Sequence, residues 1–397
     1  MSNSFSERRD ADAVLVQCIL AAFPLNAEII SPDVYDEATW AELVKRARYH
    51  GISLLLYAAL EKKEWCDVPS FVRVGLLDLY RSSALASATA YYELNALIPL
   101  LNASNIPLIV LKGAAVAKWL YPVSALRPFA DLDFLIPQTH VEKMSALLQA
   151  QGYVSGNELA RGFRAAYYSE MAFHKNATPR TAVDLHWNLF VPLYYRRRMS
   201  LDWFWQHTQA FSFGAQPARI LDATAQFIHL AVHASLNHQN APRLIWLYDL
   251  ALLLTHKANE LDWDAAIAYT HSAQLAYSVH AMLRQTIETW HLEFPPERLA
   301  AFRPTNLHWR ERLVFRITGA ASNQARVVTD ALGAATWRDT FAYAARHLFP
   351  DAAYMQTHYR FHNRLLLPYY YSRRLVASVW KLLGSLWSAS RNKRGVF

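Results

Sequence analysis

The sequence predicts an α+β protein, a small mixed β-sheet flanked by N- and C-terminal helical modules. Apolar residues recur at three- and four-residue spacing before residue 102 and again after 216, as amphipathic helices require. Between these stretches the order strand, helix, strand, helix, hairpin can be read, punctuated by Gly, Pro and Asn. The chain has 397 residues, 53% hydrophobic and 18% charged, with 13 Trp, 21 Tyr and 19 Phe; it is too long for one small core and too apolar to be disordered. Only 11 Gly point to short loops and dominant helix. The expected division is a helical module over 1–101, an α/β core over 102–215 and a helical module with a basic tail over 216–397.

In the first module the apolar run 13–25 follows Arg8 and Arg9, but Asp10 and Asp12 sit where a secretory segment would be uncharged. It reads as a first buried helix. Helical spacing continues through Ile52, Leu55, Leu56, Ala59 and Leu60, then Val72, Leu76, Leu79 and Tyr80. The character changes after Asn105-Ile106-Pro107, where 108–111 reads as a short buried strand and 114–121 as the helix after it. A second strand spans 131–136 and stops at Pro137. Thr139 and Glu142 form a capping box for a helix that Gly152 ends. Segments 166–175 and 181–187 flank a turn at 176–180 and predict a hairpin, and from 216 onward helices resume, notably 225–237 and 243–256.

Two cysteines, Cys18 and Cys66, form no metal-binding pair and favour a reducing, cytosolic setting. No stretch is an uninterrupted apolar span of bilayer length; 244–254 is short and is broken by Asp249. The net charge of +8 sits in the tail. After Asp351 there is no acidic residue, and Arg360, Arg364, Arg373, Arg374, Lys381, Arg391, Lys393 and Arg394 account for the whole excess.

Two motifs carry chemistry. In Arg127-Pro128-Phe129-Ala130-Asp131-Leu132-Asp133, strand alternation puts Asp131 and Asp133 on one face and Leu132 and Phe134 on the other, so one face buries and the other can hold a divalent metal. In Val183-Asp184-Leu185-His186 the same alternation pairs Asp184 with His186 on one face, and Asp184 is the candidate third carboxylate. Upstream, Lys112-Gly113-Ala114 forms a strand-to-helix turn. There Gly113 lets backbone approach phosphate oxygens, and Lys112 and Arg127 add positive charge. Phosphate-binding loops ending in Lys-Ser or Lys-Thr, dinucleotide-binding Gly motifs, hydrolase nucleophile elbows and zinc-protease helices are all missing from the sequence.

This arrangement resembles the DNA polymerase β-like nucleotidyltransferase superfamily. In the fuller pattern it resembles the uncharacterised nucleotidyltransferase family of bacterial exopolysaccharide and lasso-peptide gene clusters. That pattern comprises Leu111-Lys112-Gly113-Ala114, Arg127 before Asp131 and Asp133, Asp184-Leu185-His186-Trp187, and the histidines His233 and His238 ahead of Arg243, Trp246 and Asp249. The resemblance implies a nucleotidyltransferase core that uses Mg²⁺ or Mn²⁺ and a nucleoside triphosphate, with metal on Asp131, Asp133 and Asp184 and nucleotide contact at Lys112, Gly113, Ala114 and Arg127. It further implies transfer of a nucleoside monophosphate to an acceptor in polysaccharide or peptide biosynthesis. One departure stands out: the superfamily turn reads Gly-Gly or Gly-Ser, and Ala114 supplies no hydroxyl for phosphate.

Plainer readings stand beside these. Asp131 and Asp133 could face water or pair with Arg127, Lys112 could cap a strand end, and His186 could be a satisfied strand histidine. His229 and His233 share helical spacing without the glutamate of a zinc site and read as core or supporting residues. Arg243 with Asp249 reads as an internal ion pair, or as a cleft residue touching the acceptor. The tail, with Leu375, Val379, Leu382, Leu383 and Leu386 on one stripe, is either a last helix packed on the body or an anchor for an anionic membrane surface or acidic partner. A non-catalytic module that keeps the fold and binds a nucleotide or partner is the alternative function. No aromatic-basic groove points to nucleic acid.

Overall fold

A computed structural model describes the chain except for residues 1–2, 24–34, 156–168, 176–180, 191–192, 238–241, 305–308, 319–337, 339–344, 346–347, 351 and 392–397. Helices α1 (Asn3–Ala22), α2 (Glu37–His50), α3 (Ser53–Lys62) and α4 (Ser70–Ala103) come first. The Asp36 carboxylate caps α2 by accepting from the Thr39 N–H at 2.8 Å, and Gly51 closes it in the left-handed region at φ 73°.

The sheet follows, with β1 (Ile109–Leu111), α5 (Lys112–Leu120), β2 (Asp131–Leu135), α6 (Val141–Ala150), β3 (Tyr153–Ser155), β4 (Glu170–Lys175), β5 (Thr181–His186), β6 (Thr208–Phe213) and β7 (Gln216–Leu221). Its seven strands run in the order β3-β4-β5-β2-β1-β7-β6. β2 is antiparallel to β1 and parallel to β5, and β7 is parallel to β1. Beyond the sheet lie α7 (Ala223–Val232), a π-turn over His233–Asn237, α8 (Leu244–His256), α9 (Ala276–Trp290), α10 (Ala352–Tyr359) and α11 (Leu367–Arg391).

Strand alternation divides the apolar residues between two cores. Val110, Leu132, Phe134, Val183 and Ile220 pack with Leu94, Leu97 and Leu101 of α4. On the other face Ile109, Leu111, Leu135 and Leu221 join a core built jointly by α1–α3 and α7–α9, including Leu15, Leu43, Leu56, Phe227, Leu250 and Leu283. Asp131, Asp133, Asp184 and His186 share the parity of this second face.

The strand, helix, strand, helix, hairpin order is present, and β4 and β5 form the expected hairpin, whose turn lies outside the described residues. Two expectations are corrected. Residues 216–221 form β7 rather than the start of helix: Gly214, at φ 60°, turns β6 back into a hairpin whose inner strand lies against β1. Nor does Thr139 cap a helix. A 3₁₀ turn over Gln138–His140 intervenes, α6 starts at Val141, and the Thr139 hydroxyl lies 3.2 Å from His140 Nδ1 instead.

Candidate functional site

The site begins where β1 becomes α5. Lys112 occupies the left-handed region at φ 47°, a strained conformation for a side-chain-bearing residue, at the junction of the two elements. Its Nζ donates to Asp133 Oδ1 at 2.7 Å. Asp133 is 2% exposed and is also met by His186 Nε2 at 2.8 Å. His186 Nδ1 lies 3.3 Å from Glu170 Oε2, and the register of the β4–β5 hairpin sets Glu170 directly opposite His186.

The parallel pairing of β2 and β5 places Asp184 beside Asp133, with Asp131 one pleat away opposite Ala182. Ligand atoms of Asp133, Asp184 and His186 all fall within 4.8 Å of one another, a group that can hold a metal ion; Asp131 lies outside that distance set. Two carboxylates and an imidazole are a donor set that suits a borderline divalent cation.

The electrostatics separate the carboxylates. Burial alone would raise Asp133, but the charges of Lys112 and His186 and their hydrogen bonds hold it well below the usual carboxylate range. Asp184 is pushed up to about 6, first by burial and then by the negative charge of Asp133. Asp131 is raised for the same two reasons. One carboxylate is thus neutralised by the protein, while two neighbours carry an excess of negative charge that a cation would relieve.

Several candidate residues have other partners. The Arg127 guanidinium is turned onto Asp249. Its Nε and Nη2 fork onto the fully buried Asp249 at 2.8–3.1 Å, and its Nη1 donates to the Pro128 carbonyl at 2.8 Å. Tyr121 Oη donates to the same Asp249 at 2.7 Å. The expected Arg243–Asp249 pair is therefore replaced by Arg127–Asp249. Exposed Arg243 instead lies over the rings of Tyr49 and Trp246, at 5.8 and 5.5 Å from their centroids.

Gly113 is demanded by packing, because a Cβ there would stand 2.5 Å from Phe129 Cβ. Ala114 is buried in the α4 core and its carbonyl accepts from Tyr91 Oη at 3.0 Å, so a hydroxyl at this position would point into apolar packing. His233 sits on the π-turn with its ring 5.9 Å from that of Trp246, and His238 lies outside the described residues.

Sequence reasoning missed Glu170, and it read His229 only as a core or supporting residue. Glu170 could have been found by counting back from the hairpin turn to the partner of His186. His229 is fully buried on α7, and neither ring nitrogen has a hydrogen-bond partner among the described residues. Burial, with the charge of Lys112 next, pushes its imidazole down to about 3. A cleft of about 300 Å³ opens beside the site, lined by Ser83, the loop 127–130 that leads into Asp131, Arg243, Ile245 and Trp246.

None of the curated proteins matches the chain. Among solved structures it is similar to an antigenic nucleotidyltransferase-like protein from Paracoccidioides brasiliensis, at 11% identity and a TM-score of 0.33, over 55% of this chain and 91% of that one. The family described as uncharacterised nucleotidyltransferase matches residues 36–291, which take in the sheet, the carboxylate cluster, the Arg127–Asp249 pair and the cleft; the chain belongs to this family.

Proposed function

We propose that the protein is a divalent-metal-dependent nucleotidyltransferase that moves a nucleoside monophosphate from a nucleoside triphosphate to an acceptor hydroxyl and releases pyrophosphate. The observation that carries this reading is the side-by-side placement of Asp133 and Asp184 on parallel strands, with Asp131 one pleat away, in a chain of this family. Asp131, Asp133 and Asp184 would hold the metal, Mg²⁺ or Mn²⁺, with His186 as a fourth donor. When bound, the cation supplies charge neutralisation for the phosphate oxygens and acidifies the acceptor hydroxyl.

The residues of the chain do the rest. Asp184, beside Asp133 on the neighbouring strand, accepts the proton of the acceptor hydroxyl as the new oxygen–phosphorus bond forms and the bond to the β-phosphate oxygen breaks. Lys112 keeps Asp133 ionised, and Glu170 fixes the ring of His186. With Arg127 committed to Asp249, Arg243 is the cleft cation that meets an anionic group of the triphosphate or acceptor, and Trp246 offers it a flat apolar wall. Sugar phosphates and peptides are the acceptor classes in keeping with the family resemblance.

Calorimetry with ATP, GTP, CTP and UTP, with and without Mg²⁺, combined with a pyrophosphate-release assay, tests this. Asp133→Asn and Asp184→Asn should each lower turnover at least ~10²-fold, the scale of losing one preorganised electrostatic partner. Binding that ignores the metal, with no pyrophosphate formed, would replace the enzyme by a nucleotide-binding module.

A further inference from the structure

We propose that α11 is an interfacial helix that docks this protein on an anionic lipid surface. This inference goes beyond the nucleotidyl-transfer reading and does not depend on it. Helix α11 packs one side on α10 and the residues flanking it. Tyr370 stacks on Phe361 and Tyr359 at 4.3 and 5.0 Å, Tyr371 Oη donates to the Pro350 carbonyl at 2.6 Å, and the Arg374 guanidinium lies over Tyr354 at 5.5 Å.

The apolar stripe lies on the opposite side, at the i, i+4 and i, i+7 positions of a second row. Tyr369 is 61% exposed, Val376 57%, Val379 49% and Trp380 73%, with Leu375 beside them. Leu382, Leu383, Leu386 and Trp387 follow in the sequence. The helix therefore packs its tyrosines on α10 and its flanking residues and presents the aliphatic face outward.

Charge identifies what covers that face. From Ala352 onward the given sequence holds eight basic residues, Lys381 and Arg391 among them, and no acidic one. A row of exposed aliphatics with a tryptophan among them, on a segment whose charged residues are all basic, matches the acyl-chain boundary of a bilayer rich in anionic headgroups. No helix among the described residues is long and apolar enough to cross a membrane, so α11 would lie along the surface.

The test is co-flotation of the full chain with vesicles of phosphatidylcholine alone or with about one third phosphatidylglycerol, at low and high salt. Flotation with the anionic vesicles only, weakened by salt, is expected. Val379→Glu with Trp380→Glu should abolish it, and Lys381→Gln with Lys393→Gln should weaken partition roughly tenfold or more. Val379 and Trp380 are exposed, so an unchanged melting temperature of that pair shows that loss of flotation is not loss of fold. The proposal is overturned if the full chain stays with neither vesicle, or if the glutamate pair floats like the parent. It is equally overturned if polyglutamate binds as tightly as the vesicles and ignores the glutamate pair, which means an acidic protein partner. Sedimentation showing a dimer that the glutamate pair dissociates, without flotation, would mean that the stripe meets a second copy.

Discussion

At the residue scale, the site holds groups whose ionisation the fold has set apart. His229 is the most exposed to test, because its buried ring has no hydrogen-bond partner among the described residues to accept a proton's charge. Below pH 6.5 the unfolded chain protonates this histidine and the folded chain does not, so stability falls as pH falls, down to the folded value of about 3. Asp184, raised to about 6, works in the opposite sense, favouring the fold as pH drops from there toward 3.8. The two are separated by comparing the parent with His229→Gln. The variant should lose about 2 kcal/mol less than the parent between pH 7 and pH 4.5 in denaturant titrations. Equal losses would show that His229 titrates normally. The carboxylates themselves were legible in the sequence, because a period of two fixes which side chains share a strand face. The pairing of Lys112 with Asp133 was not, because it follows from a left-handed backbone angle at one residue, and residue type does not encode that.

At the element scale, the turn from β1 into α5 and the loop before β2 are locked together by Phe129 filling the space that Gly113 leaves. Glycine is read from sequence as a place where backbone can approach phosphate, and the structure adds a packing reason for it, because Phe129 fills the space a side chain would need. The same loop is pinned from below by Arg127 on Asp249 of α8, a partner 122 positions away that no local pattern can reveal. The strands β6 and β7 escaped sequence reading for a related reason: Gln216-Pro217-Ala218-Arg219 lacks the β-branched residues of a strand, and its place is dictated by contact with β1. If the Arg127 fork is structural, Arg127→Met should destabilise by about 3–5 kcal/mol, since it strands the Asp249 charge in the core. Arg127→Met with Asp249→Leu should recover much of that loss. A triphosphate role would instead show as a raised KM with an intact fold in Arg127→Lys.

At the scale of the whole molecule, the helices before the sheet and those after it build a single core. Leu15, Leu43 and Leu56 share a core with Phe227, Leu250 and Leu283, while α4, with Met144 and Leu148 of α6, covers the opposite sheet face. A polar clasp reinforces the union: Asp12 of α1 accepts from Arg46 Nε at 2.8 Å and meets His50 Nε2 at 3.0 Å, and His50 Nδ1 accepts the Leu244 N–H at 3.3 Å. That last bond reaches the first turn of α8, one residue from Arg243 in the cleft. The three stretches distinguished by sequence character are therefore joined energetically, because removing 1–101 would strip apolar cover from both sheet faces at once. We predict that the full chain unfolds in one transition seen identically by far-ultraviolet circular dichroism and tryptophan fluorescence. A fragment of residues 102–397 should show no cooperative transition and should bind a dye for exposed apolar surface. A fragment that melts cooperatively, with its own sharp heat-capacity peak, would show that the sheet folds without the helices that precede it.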